Sequence, residues 1–168
     1  MEVVVNNTTV EFSGLLNEES SVDLIKQGLE QAIKNSAAKK EVNLDFSKVK
    51  RANSCGILAW YKILENFDCS FIYVNAPRWL VEQFNISDFL SEKTTVSSIY
   101  ANFYCPSNDT HEVLLLNIGK EIPILDNYDE FNLVLKNKEG FDLEIDFEPS
   151  EYFYFISSNP KRFKKEAA

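Results

Sequence analysis

From Glu41 to Tyr61 the chain reads EVNLDFSKVKRANSCGILAWY, and this stretch limits the fold more than any other. Val42, Leu44 and Phe46 alternate with polar residues, the period of a strand with one buried face. Residues 47–51, polar except for Val49, read as a short loop. Asn53 and Ser54 are good N-cap types, and they open a helix from about Ser54 to Asn66 with Ile57, Leu58, Tyr61 and Leu64 expected inward. Its first turn carries unpaired N–H groups and the positive end of the helix dipole, so whatever stands there is exposed to unusual chemistry. In isolation the four residues Asn53-Ser54-Cys55-Gly56 read as a cap and a tight backbone turn.

The flanks supply the rest of a sheet. Val3, Val4 and Val5, then Thr9 to Phe12, read as two strands joined at Asn6-Asn7. A helix over about 18–35 follows, capped by Asn17, with Val22, Ile25, Leu29, Ala32 and Ile33 along one face. Residues 70–74 (SFIYV) form a strand stopped by Asn75-Ala76-Pro77, and Pro77 introduces a third helix over about 78–84 with Trp79, Leu80 and Phe84. Strand, strand, helix, strand, helix, strand, helix gives an α/β fold. Its mixed sheet carries helices on one face, with right-handed crossovers between parallel strands.

That order, with Asp45 in the third strand and Asn53-Ser54-Cys55-Gly56 opening the second helix, resembles STAS domains over roughly residues 1–98. STAS is the fold of anti-sigma-factor antagonists. In that family an aspartate-containing strand leads to a helix opened by Asp-Ser-Ser/Thr-Gly, and the residue before the glycine is phosphorylated. Asp45, Ser54 and Gly56 match this pattern; Asn53 stands where Asp is usual and Cys55 where the phosphoacceptor is usual. A thiol does not accept phosphate in the serine-kinase reaction, so no phosphorylation switch is expected at position 55. Ser54 is a weak substitute, since a cap hydroxyl turns back to the helix N–H groups.

The resemblance implies a non-enzymatic, cytoplasmic regulator needing no cofactor. It would dock a protein partner through the start of helix two. The partner class it implies is an anti-sigma factor, a histidine-kinase-like ATPase or a larger signalling complex. The docking residues would be Asp45, Asn53, Ser54, Cys55, Gly56 and Leu58. A different reading makes the same helix start a small-molecule or redox sensor, because a thiol at a helix N-terminus has a lowered pKa. Catalysis at Cys55 would want a nearby base, and the single histidine, His111, lies in another segment.

Composition shifts near Thr94, so residues 99–168 are expected to form a small, mainly-β unit with 13 acids against 7 bases. Residues 99–104 read as a last strand of the first domain or as a linker. Strands are expected at 112–116 and 141–147, with a loop-rich centre at 122–132, and 151–156 as a strand or a short helix. Tyr104-Cys105-Pro106 resembles the opening of a zinc ribbon, but Asn108 replaces the second thiolate and no cysteine follows. The segment therefore reads as a degenerate ribbon that binds no metal, its core built from aromatics. Asp142, Glu144, Asp146 and Glu148 fall on one face of a strand and read as solvated, and residues 161–165 form a basic end.

A net charge of −9 supplies no basic excess to displace counterions, so no nucleic-acid affinity is expected. The first residues lack the basic and apolar regions of a secretory signal, and no apolar run approaches the ~18 residues of a membrane span. Three widely spaced cysteines read as reduced thiols.

Overall fold

The computed structural model describes residues 1–36, 40–86 and 90–164. The first sheet is built from β1 (Glu2–Asn6), β2 (Thr9–Leu16), β3 (Glu41–Ala52), β4 (Ser70–Val74) and β5 (Thr94–Val96), in that spatial order. β1 and β2 form an antiparallel hairpin, and every later pairing is parallel. Parallel neighbours need crossovers, and these are α1 (Val22–Asn35), α2 (Ser54–Glu65) and α3 (Arg78–Ile86). The element order is the one that the STAS resemblance implies.

All three helices cover one face. Val10, Phe12, Val42, Leu44, Phe46, Phe71 and Tyr73 are buried there, while Glu11, Ser13, Asn43, Asp45, Ile72 and Val74 on the other face are half-buried. Beneath α2, Trp60 meets Phe12 and Phe46 edge-on at 5.1 and 5.0 Å and donates its indole N–H to the Tyr73 hydroxyl at 2.8 Å. Beneath α3, Phe84 lies 5.1 Å from Tyr73.

The second sheet has the order β7-β6-β9-β8, from β6 (Ser98–Cys105), β7 (Thr110–Asn117), β8 (Leu135–Lys136) and β9 (Asp142–Ile145), all antiparallel. Two short helices follow, α4 (Pro149–Tyr152) and α5 (Tyr154–Ser157), then a 3-10 turn at Pro160–Arg162. One hydrophobic core runs through both sheets. α3 is the seam: Phe84 stacks on Phe155 at 5.6 Å, and the Asn85 side chain accepts from the Phe155 N–H and donates to the Tyr152 carbonyl.

Several local expectations need correction. The polar stretch 47–51 is not a loop but strand. β3 continues to Ala52 because the far half of β2 keeps pairing with it, through register shifts between Glu11 and Ser13 and between Gly14 and Leu15. Asp45 thus lies in mid-strand, at the last rung shared with β4. α1 starts at Val22, not 18, since Asn17 to Ser20 close a turn of their own and the Ser21 side chain accepts from the Leu24 N–H. In α2 the buried residues are Gly56, Trp60, Ile63 and Leu64; Ile57 and Tyr61 are half-buried, and Leu58 is exposed. Residues 99–104 belong to β6, in the second sheet. The acidic strand ends at Ile145; of the two readings of 151–156 the helical one holds, as α4 and α5 on either side of a turn at Phe153. Of the basic end, Lys165 lies outside the described residues.

The zinc-ribbon resemblance finds no support. Cys105, the last residue of β6, is fully buried in the core, where its thiol is closed off from a metal. Among the described residues no three His, Cys, Asp or Glu side chains gather as a metal would need. The four carboxylates from Asp142 to Glu148 are exposed; Asp142 pairs with Lys136 and Asp146 with His111.

Candidate functional site

The start of α2 is set first by three contacts, one within the helix cap and two with the end of β2. Asn53 is extended at φ −112° and accepts the Gly56 N–H on its Oδ1 at 2.9 Å, capping the helix. Its own N–H donates to the Leu16 carbonyl at 3.0 Å, which ties the cap to the end of β2. Gly56 then passes so close to that strand end that a Cβ would overlap the Leu16 carbonyl and approach Asn17 N to 2.7 Å. The glycine is needed for this close approach and not for a left-handed turn.

The fourth contact also comes from far along the chain. Asn53 Nδ2 donates to Glu18 Oε2 at 2.6 Å. The Asn53 amide, and next a backbone N–H of Glu18 itself, hold the Glu18 carboxyl below the usual carboxylate range. A carboxylate therefore already stands beside the helix start. Asn53 is the residue that tolerates it, because an aspartate there would set two carboxylates against each other. Nothing in the run Asn17-Glu18-Glu19 marks Glu18 as a partner of residue 53; it reads as a helical first turn.

Ser54, Cys55 and Leu58 are exposed around this cap, and Leu58 is 59% exposed one turn beyond Ser54. At the foot of the helix Leu15, Leu16, Asn17, Arg51, Ala52 and Asn53 line a groove of about 250 Å³. Leu15 and Arg51 are exposed there, and sequence reasoning missed both because it placed residue 51 in a loop.

Asp45 is not part of this cluster. Its Oδ1 accepts the Ser47 N–H and its Oδ2 accepts Asn75 Nδ2, each at 2.8 Å. Asn75 sits in the left-handed region at φ 52°, and its N–H donates to Ser98 Oγ at 2.8 Å. Asp45 thus pins the turn from β4 into α3, eight residues or about 26 Å along β3 from the cap at the usual strand rise.

The three thiols differ sharply. Cys55 is exposed, while Cys69 and Cys105 are buried. Burial pushes the Cys69 thiol up to about 11, which keeps it protonated. His111 lies on the second sheet, 3.1 Å from Asp146 and with its ring tilted against Tyr104 at 5.3 Å. An anion at the helix start would compete with the Asn53 cap and meet the Glu18 carboxylate, which weighs against the ligand-sensor reading.

No family model and no curated protein matches the chain. Among solved structures, the anti-sigma-factor antagonist SpoIIAA in its unphosphorylated form is similar over 44% of this chain and 71% of its own, at 22% identity and a TM-score of 0.28. The strand order given above rests on this chain's own hydrogen-bond ladders and not on that superposition. Among the described residues no helix is long and apolar enough to cross a membrane.

Proposed function

We propose that the chain is a non-enzymatic regulator that binds a protein partner through the start of α2 and the adjoining β2–α1 turn. The observation that carries this reading is the exposure of Ser54, Cys55 and Leu58 on the first turns of a helix whose cap is fixed from three sides, with Leu15 and Arg51 exposed in the groove at its foot. Apolar side chains left in water on a rigid support, with a cation at the rim, are what a protein interface desolvates. The match of Asp45, Ser54 and Gly56 to the STAS pattern supports the partner class: an anti-sigma factor, a kinase-like regulator or a cytoplasmic signalling complex. With Cys55 in the phosphoacceptor's place, the surface stays in its unphosphorylated, binding-competent form, and switching falls to something other than phosphate at position 55.

The exposure of Cys55 against the burial of Cys69 and Cys105 offers a direct test. A photo-cross-linker attached to Cys55 in the native protein should capture a specific protein from the source cells, and unlabelled wild-type chain should compete it away. Capture only from a linker placed on the second sheet, for instance at Lys138→Cys, would move the docking surface there.

A further inference from the structure

The outer edge of β7 is a second unfilled surface, independent of the α2 site. β7 borders the second sheet, with β6 on its inner side along eight paired residues and no register shift. Just past its end, Ile118 donates its N–H to the Ser97 carbonyl. By the alternation of an antiparallel ladder, Thr110, Glu112, Leu114 and Leu116 then turn their backbone groups toward β6, and His111, Val113, Leu115 and Asn117 turn theirs outward. Asn117 agrees with this parity: its N–H donates to Glu121 Oε2 at 2.9 Å and its carbonyl accepts from Ile122 at 3.1 Å. The outward N–H and C=O groups of His111, Val113 and Leu115 have no partner among the described residues.

Apart from Glu112 on its inward face, this edge carries none of the usual protections. Thr110–Asn117 contains no proline, lysine, glycine or bulge, and Val113 and Leu115 are 62% and 42% exposed. The borders formed by β5 and β8 are only three and two residues long.

We propose that a second copy of this chain pairs along β7, antiparallel, about a two-fold axis through Val113. The free groups select the register. The three outward residues are centred on Val113, so an axis there sets Val113 against the partner's Val113 and His111 against the partner's Leu115, each pair exchanging both N–H···O bonds. An axis at Leu114 would set His111 against the partner's Asn117, whose outward groups are already taken. In the Val113 register no like charges stand opposite: Glu112 faces the partner's Leu114, and Thr110 faces the partner's Leu116. This self-match is what favours a second copy over a foreign strand, which has no reason to end in step with Asn117.

The test is sedimentation of the full chain, wild type and Val113→Lys, with amide hydrogen exchange on the wild type. Val113 is exposed in a single copy, so the lysine leaves the fold alone; across the axis it sets two ammonium groups side by side. Wild type should sediment with the mass of two chains. Val113→Lys should raise the dissociation constant roughly tenfold or more, from like charges directly opposed. The wild-type Val113 and Leu115 amides should gain protection as concentration rises, a reading that needs no variant. A wild-type chain that stays single at millimolar concentration, a dimer untouched by Val113→Lys, or a dimer in which those amides exchange freely would each overturn the proposal.

Discussion

Gly56 and Asn53 make the start of α2 what it is, and the glycine predicts a distinct loss. A methyl at Gly56 strikes the backbone of Leu16 and Asn17, which has no rotamer to retreat into. Gly56→Ala should therefore destabilise by roughly 2 kcal/mol or more, as overpacking does, despite alanine's better helix propensity. Urea unfolding measures it, and an unchanged midpoint would mean that β2 gives way. Glu121 offers a pH-dependent case. Hydrogen bonds from Lys120, then from the Asn117 side chain and N–H, hold its carboxyl down to about 2. A carboxyl lowered on folding stabilises above its unfolded value, and that contribution drains away as pH falls from the ordinary carboxylate range toward 2. Glu121→Gln should thus narrow the gap between urea midpoints at neutral pH and at about pH 3. An equal gap would mean that Glu121 titrates normally. At this scale the sequence is informative where partners are near: Asn53 reads as a cap because the Gly56 N–H it accepts is three residues away. It is silent on Glu18, which arrives from 35 residues upstream with no local signal.

At the scale of the element, α2 shows both the reach of periodicity and its limit. The helix begins and ends where its caps say, but its inward face is Gly56, Trp60, Ile63 and Leu64, a quarter-turn from the expected one. Apolar residues crowd both sides of this helix, so pattern alone does not choose; the ring stack of Phe12, Phe46 and Trp60 does. Trp60→Ala should cost about 3–5 kcal/mol, as a large buried aromatic does, whereas Leu58→Ala should stay within ~0.5 kcal/mol of wild type. Comparable losses in the two variants would contradict the packing. β3 failed in the opposite sense. Ser47 to Ala52 look like a loop because lysines and arginine dominate, yet the bulged pairing with β2 holds them extended, and Trp79 Nε1 donates to the Val49 carbonyl at 2.8 Å. Non-local pairing decided that segment, and no window of local sequence contains it.

Across the whole molecule, α3 turns two sheets into one cooperative body. Its Phe84 meets Tyr73 on one side and Phe155 on the other, and Phe155 in turn meets Phe163 edge-on at 5.7 Å. Phe155→Ala should cost about 3–5 kcal/mol and lower both units together. Fluorescence from Trp60 and Trp79, both in the first unit, should shift in step with far-UV circular dichroism. A tryptophan transition that ignores the substitution would make the units independent. The break in composition near Thr94 is visible in the sequence; the shared core across it is not, because Phe84 and Phe155 are joined only by folding. On this body the α2 start is one presented surface and the β7 edge another, and the central claim concerns the first. Its most direct test compares the affinity of the cross-linked partner for wild type and Cys55→Asp, with melting measured alongside. The account predicts a loss of roughly 2 kcal/mol or more in binding, from a charge desolvated without a counter-ion, and an unchanged melt, since an acid suits a helix N-terminus. Undiminished affinity for Cys55→Asp would contradict it.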